Sequence, residues 1–323
     1  MRLTTLLIAL TLIAGGVPAV RAADTPAPSS PAPKTAMLAG RNTIRYIPAS
    51  PKGIVYLFHG TGGSENFATR IHSKIVLDRL VANGFGYAAA PSADRTASRW
   101  NLESIDPKTN VDVAYMLALH RALIASGEIA DQTPVFSMGM SNGGGFSNLF
   151  AIAALAQGLP VKAIGDYMGP IPAPARTPPP GKAYPPLFIV LGDNDGLVAK
   201  ENVEPVADRL KASGTRVEMH VVHEGLVNAD TFKTIPGLTD KDREEILTAL
   251  VERKVIDAAG KRLVFKDKPK IGQAEIMQLN TMPPAGSHQR DIANQLLIAW
   301  GSHQMRSDFA EQQVAFFVAA LKP

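Results

Sequence analysis

The chain has 323 residues, of which 46% are hydrophobic, and this is enough to bury one large core or two smaller ones. The formal net charge of +4 is spread along the sequence, without a run of Lys or Arg and without interleaved aromatic residues, so nucleic acid is not expected as a partner. The sequence has no cysteine, which excludes disulfides and thiolate metal sites.

The first 22 residues have the composition of a secretory signal peptide. Arg2 precedes an apolar run over residues 3–17, and small residues around Ala22 suit a signal peptidase. The run is shorter than the roughly 20 residues that a spanning helix needs, and Pro18 follows it. We therefore expect cleavage after about Ala22, export to the periplasm or the medium, and no stable membrane span after cleavage.

The next segment, residues 23–40, is rich in Pro, Ala, Ser and Thr, which predicts a disordered linker. We expect one folded domain over residues 41–323. Alternation over residues 41–48 predicts a half-buried strand, and the wholly apolar residues 54–58 predict a central strand of a parallel sheet.

A glycine-rich loop follows the second strand and reads His-Gly-Thr-Gly-Gly from His59. A helix is predicted after it, over residues 66–82. Backbone N–H groups in such a turn are not obstructed by side chains, so they can receive an oxyanion. We expect Thr61 or Gly62 to supply one donor, and an ordinary strand-to-helix turn is the alternative.

The loop over residues 91–108 follows a strand predicted at residues 85–90 and carries Trp100. Loops at the carboxyl ends of such strands commonly line a binding site. Trp100 is therefore a candidate for stacking against a substrate, and the alternative is that it covers the edge of the core. A mostly apolar helix is predicted over residues 110–125.

The pattern Gly-Met-Ser-Asn-Gly over residues 139–143 lies between an apolar run and a stretch that favours a helix to about residue 157. A serine hydroxyl is a weak nucleophile, and it reacts when a tight strand-to-helix turn holds it near a base and near backbone amides. Ser141 is therefore predicted as the nucleophile, and the backbone N–H of Asn142 as an oxyanion donor.

On these motifs the chain from about residue 41 resembles the α/β-hydrolase family. Gly-Met-Ser-Asn-Gly-Gly and His-Gly-Thr-Gly-Gly are most similar to its exported polyhydroxyalkanoate-depolymerase and feruloyl-esterase branch. The resemblance implies an α/β-hydrolase fold, with a mostly parallel central sheet flanked by helices, and the chain order serine, acid, histidine. It implies that Asp195, after a strand at residues 187–191, is the acid. Asp193 is the alternative, and either aspartate could instead cap the next helix.

About 75 residues separate a strand predicted over residues 216–222 from the last segment of the chain. Such an insertion, at about residues 226–300, lies beside the active site in this family. We expect it to be a lid or cap, with a packing appendage as the alternative.

Three histidines are candidates for the base: His303, His288 and His223. The family's base normally precedes the closing helix, which the apolar stripe over residues 307–321 predicts. His303 is therefore expected to be the base, ahead of His288 and His223.

The predicted function is an exported serine hydrolase that cleaves carboxylic esters through an acyl-enzyme intermediate. Its substrate would be a small-molecule or polymeric ester, and the chemistry requires no cofactor and no metal. A serine peptidase of the same fold and a catalytically silent binding protein on the same scaffold are the alternatives.

Overall fold

The computed structural model describes residues 32–265, 276 and 288–322. Within these residues eight strands form one sheet in the order β1-β2-β4-β3-β5-β6-β7-β8. The strands are β1 (Lys34–Leu38), β2 (Arg41–Tyr46), β3 (Ile54–Phe58), β4 (Gly86–Ala89), β5 (Val135–Met140), β6 (Val161–Tyr167), β7 (Leu187–Gly192) and β8 (Val217–Val222). β2 pairs antiparallel with β1 and β4, and all other pairings are parallel. This order confirms the predicted α/β-hydrolase fold.

Helices cover both faces of the sheet, which is why its central strands are continuously apolar. The α-helices are α1 (Ile71–Ala82), α2 (Val111–Ala125), α3 (Asn142–Ala156), α4 (Lys200–Ala212), α5 (Asp240–Glu252), α6 (Gln289–Ala299) and α7 (Ala310–Ala319). Tyr56 of β3 packs in the apolar layer that includes α2, α3 and α4, whereas its neighbour Leu57 packs in the layer of α1 and α7. The parallel strands therefore bring their carboxyl ends, and the loops that follow them, to one edge.

The strand β1 lies inside the segment predicted to be a linker. Its residues pair with β2 along their whole length, from Lys34 opposite Arg45 to Leu38 opposite Arg41. Four of its five side chains are exposed. Because β1 joins the sheet through backbone hydrogen bonds and buries almost no side chain, composition alone did not indicate it, and the linker prediction is wrong for residues 34–38. The predicted signal peptide, residues 1–22, lies outside the described residues.

The first predicted helix is divided in two. A 3-10 turn over Glu65–Thr69 precedes α1, and Arg70 between them has an extended backbone, with φ −66° and ψ 144°. The chain therefore changes direction at Arg70, and α1 begins five residues later than predicted.

The described part of the insertion has a hydrophobic core of its own. Phe232, Ile246, Leu296 and Trp300 are buried together in it, between α5, α6 and a 3-10 turn. This described part is therefore a packed unit beside the sheet. None of the helices in the described ranges combines the length and hydropathy that crossing a bilayer requires.

Candidate active site

Ser141 stands on a sharp turn between β5 and α3. Its backbone has φ 61° and ψ −126°, a strained conformation for a residue with a side chain. A Cβ on Gly139 would collide with the carbonyl of Gly143, and a Cβ on Gly143 would collide with the carbonyl of Phe58. Both glycines of the motif are therefore required by close backbone contacts, and the turn presents Ser141 at the carboxyl edge of the sheet.

Two distant segments meet next to this edge. Asp195 lies in the turn that follows β7, and His303 lies between α6 and α7. The two loops can approach each other because residue 192 is a glycine: a Cβ there would collide with the carbonyl oxygen of Gly301. Residues that are 108 positions apart in the chain are brought into contact in this way.

Asp195 and His303 form a short hydrogen bond, with 2.6 Å between Oδ2 and Nδ1. The other carboxylate oxygen, Oδ1, accepts hydrogen bonds from the backbone N–H groups of Leu197, at 2.8 Å, and Val198, at 2.9 Å. The Asp195 side chain is fully buried. These three bonds compensate the burial of its charge and orient the carboxylate toward the imidazole.

The second ring nitrogen of His303, Nε2, is buried and has no hydrogen-bond partner in the described part of the chain. No hydrogen bond joins Ser141 to His303 there. Met140 and Gln304, the direct neighbours of Ser141 and His303, line the same cavity of about 520 Å³. Ser141 and His303 therefore lie next to the same cavity, although no hydrogen bond between them is present in the described part of the chain.

The alternative acid and one alternative base form a separate pair at the surface. Asp193 accepts hydrogen bonds from Lys200 Nζ and from His223 Nδ1. The bond from Lys200, and then that from His223, lowers the pKa of Asp193. The side chain of His223 is 73% exposed. The structure thus pairs Asp193 with His223 and keeps both apart from the Asp195–His303 pair.

His288, the other alternative base, lies in the insertion at the start of α6. Its ring faces Gly237. It makes no hydrogen bond with either aspartate in the described ranges. The structure therefore associates His288 with the packing of the insertion.

The glycine-rich loop passes close to Ser141, since a Cβ on Gly60 would lie 3.2 Å from the Ser141 Cβ. His59 fixes the loop: its Nδ1 donates to the Gly60 carbonyl at 2.8 Å, and its Nε2 accepts from the Ser92 N–H at 3.1 Å. Burial lowers the pKa of His59, which favours this neutral form.

Of the two predicted donors in this loop, Gly62 is not available. Its N–H already donates to the carbonyls of Ala97, at 3.2 Å, and Ser98, at 3.1 Å. The prediction of Gly62 as an oxyanion donor is therefore wrong, because the following loop uses that N–H. The Thr61 N–H has no acceptor among the residues that the structure describes.

Trp100 is buried, with 1% of its surface exposed, so the structure contradicts a role in stacking on substrate. Its ring stacks on Phe146 at 4.5 Å between centroids, and its indole N–H donates to the His59 carbonyl at 3.0 Å. The Asn142 side chain holds the Trp100 backbone on both sides, accepting from its N–H at 2.6 Å and donating to its carbonyl at 3.1 Å. The sequence indicated only the backbone of Asn142 as functional.

The cavity next to Ser141 lies between the glycine-rich loop, the start of α1 and the insertion helix α6. Its charged lining residues are Arg70, Arg95, Arg290 and Asp291. No short motif in the sequence connects these residues, so the sequence alone does not indicate them. Among the described residues there is no group of three His, Asp or Glu side chains that could hold a metal ion.

The strand order and the serine on its strained turn define the class of protein as one with an α/β-hydrolase fold. No protein-family model matches the sequence. No curated protein matches it either.

Solved structures similar to this chain include a protein of Thermus thermophilus. It is 14% identical, with a TM-score of 0.47, and the match covers 90% of this chain and 98% of that one. An acetyl xylan esterase from Aspergillus awamori is 15% identical, with 53% and 76% covered and a TM-score of 0.42. A Bacillus cereus carboxylesterase is 19% identical, with 56% and 84% covered and a TM-score of 0.41.

Proposed function

We propose that the protein is a serine hydrolase that cleaves carboxylic esters. The observation that carries this proposal is the strained backbone of Ser141 on the turn between β5 and α3. Strain of this kind persists where the surrounding structure imposes it, and here two close glycine contacts do so. The Asp195–His303 pair near the same edge supplies the other two groups that such a serine needs.

In the proposed reaction, His303 acts as the general base. A carboxylate only accepts hydrogen bonds, so Asp195 Oδ2 receives the Nδ1–H of His303 and leaves the lone pair on Nε2. Nε2 takes the proton of Ser141 Oγ while Oγ attacks the ester carbonyl. Asp195 then stabilises the imidazolium. Because catalytic hydrogen bonds often tighten only when substrate binds, the missing Ser141–His303 bond is compatible with this role.

The oxyanion of the tetrahedral intermediate would accept hydrogen bonds from the backbone N–H groups of Asn142 and Thr61. Asn142 is the first residue of α3, so its N–H is free of intrahelical bonding and the helix dipole favours a negative charge there. The imidazolium of His303 then protonates the leaving alcohol as the ester C–O bond breaks. Water, deprotonated by His303, then attacks the acyl-enzyme carbonyl. The bond between the acyl carbon and Ser141 Oγ breaks, His303 returns the proton to Oγ, and the carboxylic acid is released.

The proposal includes export, because residues 1–22 have the features of a signal peptide that is removed in the periplasm or on secretion. The resemblance of the two glycine-rich motifs to exported polyhydroxyalkanoate depolymerases and feruloyl esterases supports a small-molecule or polymeric ester as the substrate.

Labelling with a fluorophosphonate and hydrolysis of p-nitrophenyl butyrate test the proposal. We expect Ser141→Ala to abolish labelling and to lower kcat by about 10⁴-fold or more, because the nucleophile is removed. Ser213→Ala, at the end of α4, is the control and should retain both. If the folded wild-type protein is not labelled, or is labelled at another serine, the proposed function is wrong.

A further inference from the structure

The cavity beside Ser141 has an excess of positive charge. Arg70, Arg95 and Arg290 line it, and Asp291 is the only carboxylate among the described lining residues. None of the three arginines forms an ion pair or a side-chain hydrogen bond in the described part of the chain. They come from three separate segments, namely the residue before α1, the loop after β4, and α6 of the insertion. Their charges are therefore available to a ligand.

The wall of the same cavity includes a residue whose buried hydroxyl has no partner in the described part of the chain. Ser73 is fully buried and lines the cavity, and its Oγ has no hydrogen-bond partner among the residues described. Buried polar side-chain atoms nearly always have a partner, so an unpaired hydroxyl on a residue of the cavity wall is a candidate donor to a ligand atom. Ser73 lies in the first turn of α1, where no side chain caps the helix. The unpaired backbone N–H groups of that turn and the helix dipole also favour an anion.

We propose that this cavity binds a carboxylate group of the substrate. The inference rests on the ester hydrolase function proposed above and names its substrate class: esters that carry a carboxylate in the acyl or the alcohol part. The arginines would bind the two carboxylate oxygens through charge-assisted hydrogen bonds, and the Ser73 hydroxyl would donate to one of them. Asp291 in the same wall opposes a second negative charge, which favours a monoanion over a dianion such as phosphate.

The position of the cavity suits this role. Met140 and Gln304, which flank Ser141 and His303, belong to its wall, so a group bound there is attached close to the reacting ester. A volume of about 520 Å³ accommodates a substrate of ordinary metabolite size.

The test compares pairs of esters of equal length with and without a carboxylate. Monoethyl adipate and ethyl hexanoate place the charge on the acyl side, and 6-acetoxyhexanoate and hexyl acetate place it on the alcohol side. We expect kcat/KM to be about tenfold or more higher for the charged member of at least one pair at low ionic strength. Added salt should reduce that preference.

Substitutions in the cavity test whether its residues cause the preference for charged esters. Arg290→Gln and Ser73→Ala should each lower the ratio of kcat/KM between the charged and neutral esters, by about tenfold and a few-fold respectively. Arg121→Gln, an exposed arginine of α2 outside the cavity, should leave the ratio unchanged. Equal hydrolysis of charged and neutral esters by a protein that fluorophosphonate labels at Ser141 would overturn the carboxylate site alone. Absence of labelling and of all hydrolysis would instead overturn the proposed function.

Discussion

Two aspartates that are two residues apart have opposite environments. Asp195 is buried and bonded to His303, whereas Asp193 is partly exposed and bonded to Lys200 and His223. Each aspartate thus has its own histidine. Water is excluded only from the buried pair. Because water does not compete there, the single hydrogen bond from Asp195 can hold the His303 imidazole in one tautomer.

Single substitutions in each pair test the proposal that Asp195 and His303 are the catalytic pair. Asp195→Asn should lower kcat for a neutral p-nitrophenyl ester by about 10⁴-fold, because an amide can donate to Nδ1 and so favours the wrong tautomer of His303. His303→Ala should cost at least as much. Asp193→Asn and His223→Ala should stay within a few-fold of the wild type. Equal losses in the two sets would contradict the assignment, and circular dichroism verifies that each variant is folded.

The places of Ser141 and Asp195 in the fold could be predicted, because each follows an apolar strand in a short pattern; their roles in catalysis stay predictions. His303 does lie before the closing helix and bonds to Asp195, as expected from its place in the sequence, and its role as the base stays a prediction. The availability of the Gly62 N–H could not be predicted, since it depends on carbonyls that another loop brings to it. The three cavity arginines were missed for the same reason: they are close only in the fold.

The loop after β4 supports the glycine-rich loop. It supplies the two carbonyls that bind the Gly62 N–H, and the Trp100 indole donates to the His59 carbonyl. The Asn142 side chain, on the first turn of α3, holds this supporting loop at Trp100. The turn that carries Ser141 and the predicted oxyanion loop are therefore connected through a tryptophan that is not among the residues lining the cavity.

Asn142→Ala is expected to be costly, although the proposed role of Asn142 in catalysis uses only its backbone N–H. The change leaves the buried N–H and carbonyl of Trp100 unpaired, so we expect a loss of about 1–3 kcal/mol in the free energy of unfolding. We expect kcat to fall about tenfold, because losing the position of one oxyanion donor costs up to about 10²–10³. Urea unfolding and ester hydrolysis measure the two effects.

Asn142→Asp is the matched variant for this prediction. It retains the oxygen that accepts from the Trp100 N–H but cannot donate to the Trp100 carbonyl, so its stability should lie between the wild type and Asn142→Ala. An Asn142→Ala protein as stable as the wild type would show that Trp100 is held in place by packing alone.

A partly buried hydrogen-bond network connects the insertion to the sheet domain. His72 on α1 bonds to Ser307 Oγ through Nδ1, at 2.9 Å, and to Gln295 Nε2 on α6 through Nε2, at 2.7 Å. The Gln295 amide also donates to Thr234 Oγ1 at 2.8 Å. Because the amide nitrogen is a donor, His72 Nε2 accepts, and the neutral imidazole donates its Nδ1–H to Ser307.

The fold class could be predicted because strands that are apolar on both faces alternate with helices along most of the chain. The insertion was recognised as extra length before the last helix. The sequence could not predict the core of the insertion or its attachment through His72, because both depend on contacts between residues far apart in the sequence. β1 was missed because backbone pairing, without apolar side chains, holds it in the sheet.

The attachment through His72 should make stability depend on pH. Burial lowers the pKa of His72 from 6.5 to about 4, so the folded protein favours the neutral ring. Below pH 6.5 the unfolded chain takes up a proton that the folded chain does not. The contribution of His72 to stability is therefore complete above pH 6.5. As the pH falls from 6.5 to about 4, it should lower the free energy of unfolding by about 1.4 kcal/mol per pH unit.

His72→Gln isolates this contribution, because glutamine can form hydrogen bonds at the same place but does not titrate. We expect it to lower stability at pH 7 and to flatten the dependence between pH 7 and pH 5, measured by urea unfolding. His223→Gln, at an exposed histidine, should retain the wild-type slope. If His72→Gln and the wild type lose stability in parallel as the pH falls, His72 is not the group that couples docking of the insertion to protonation.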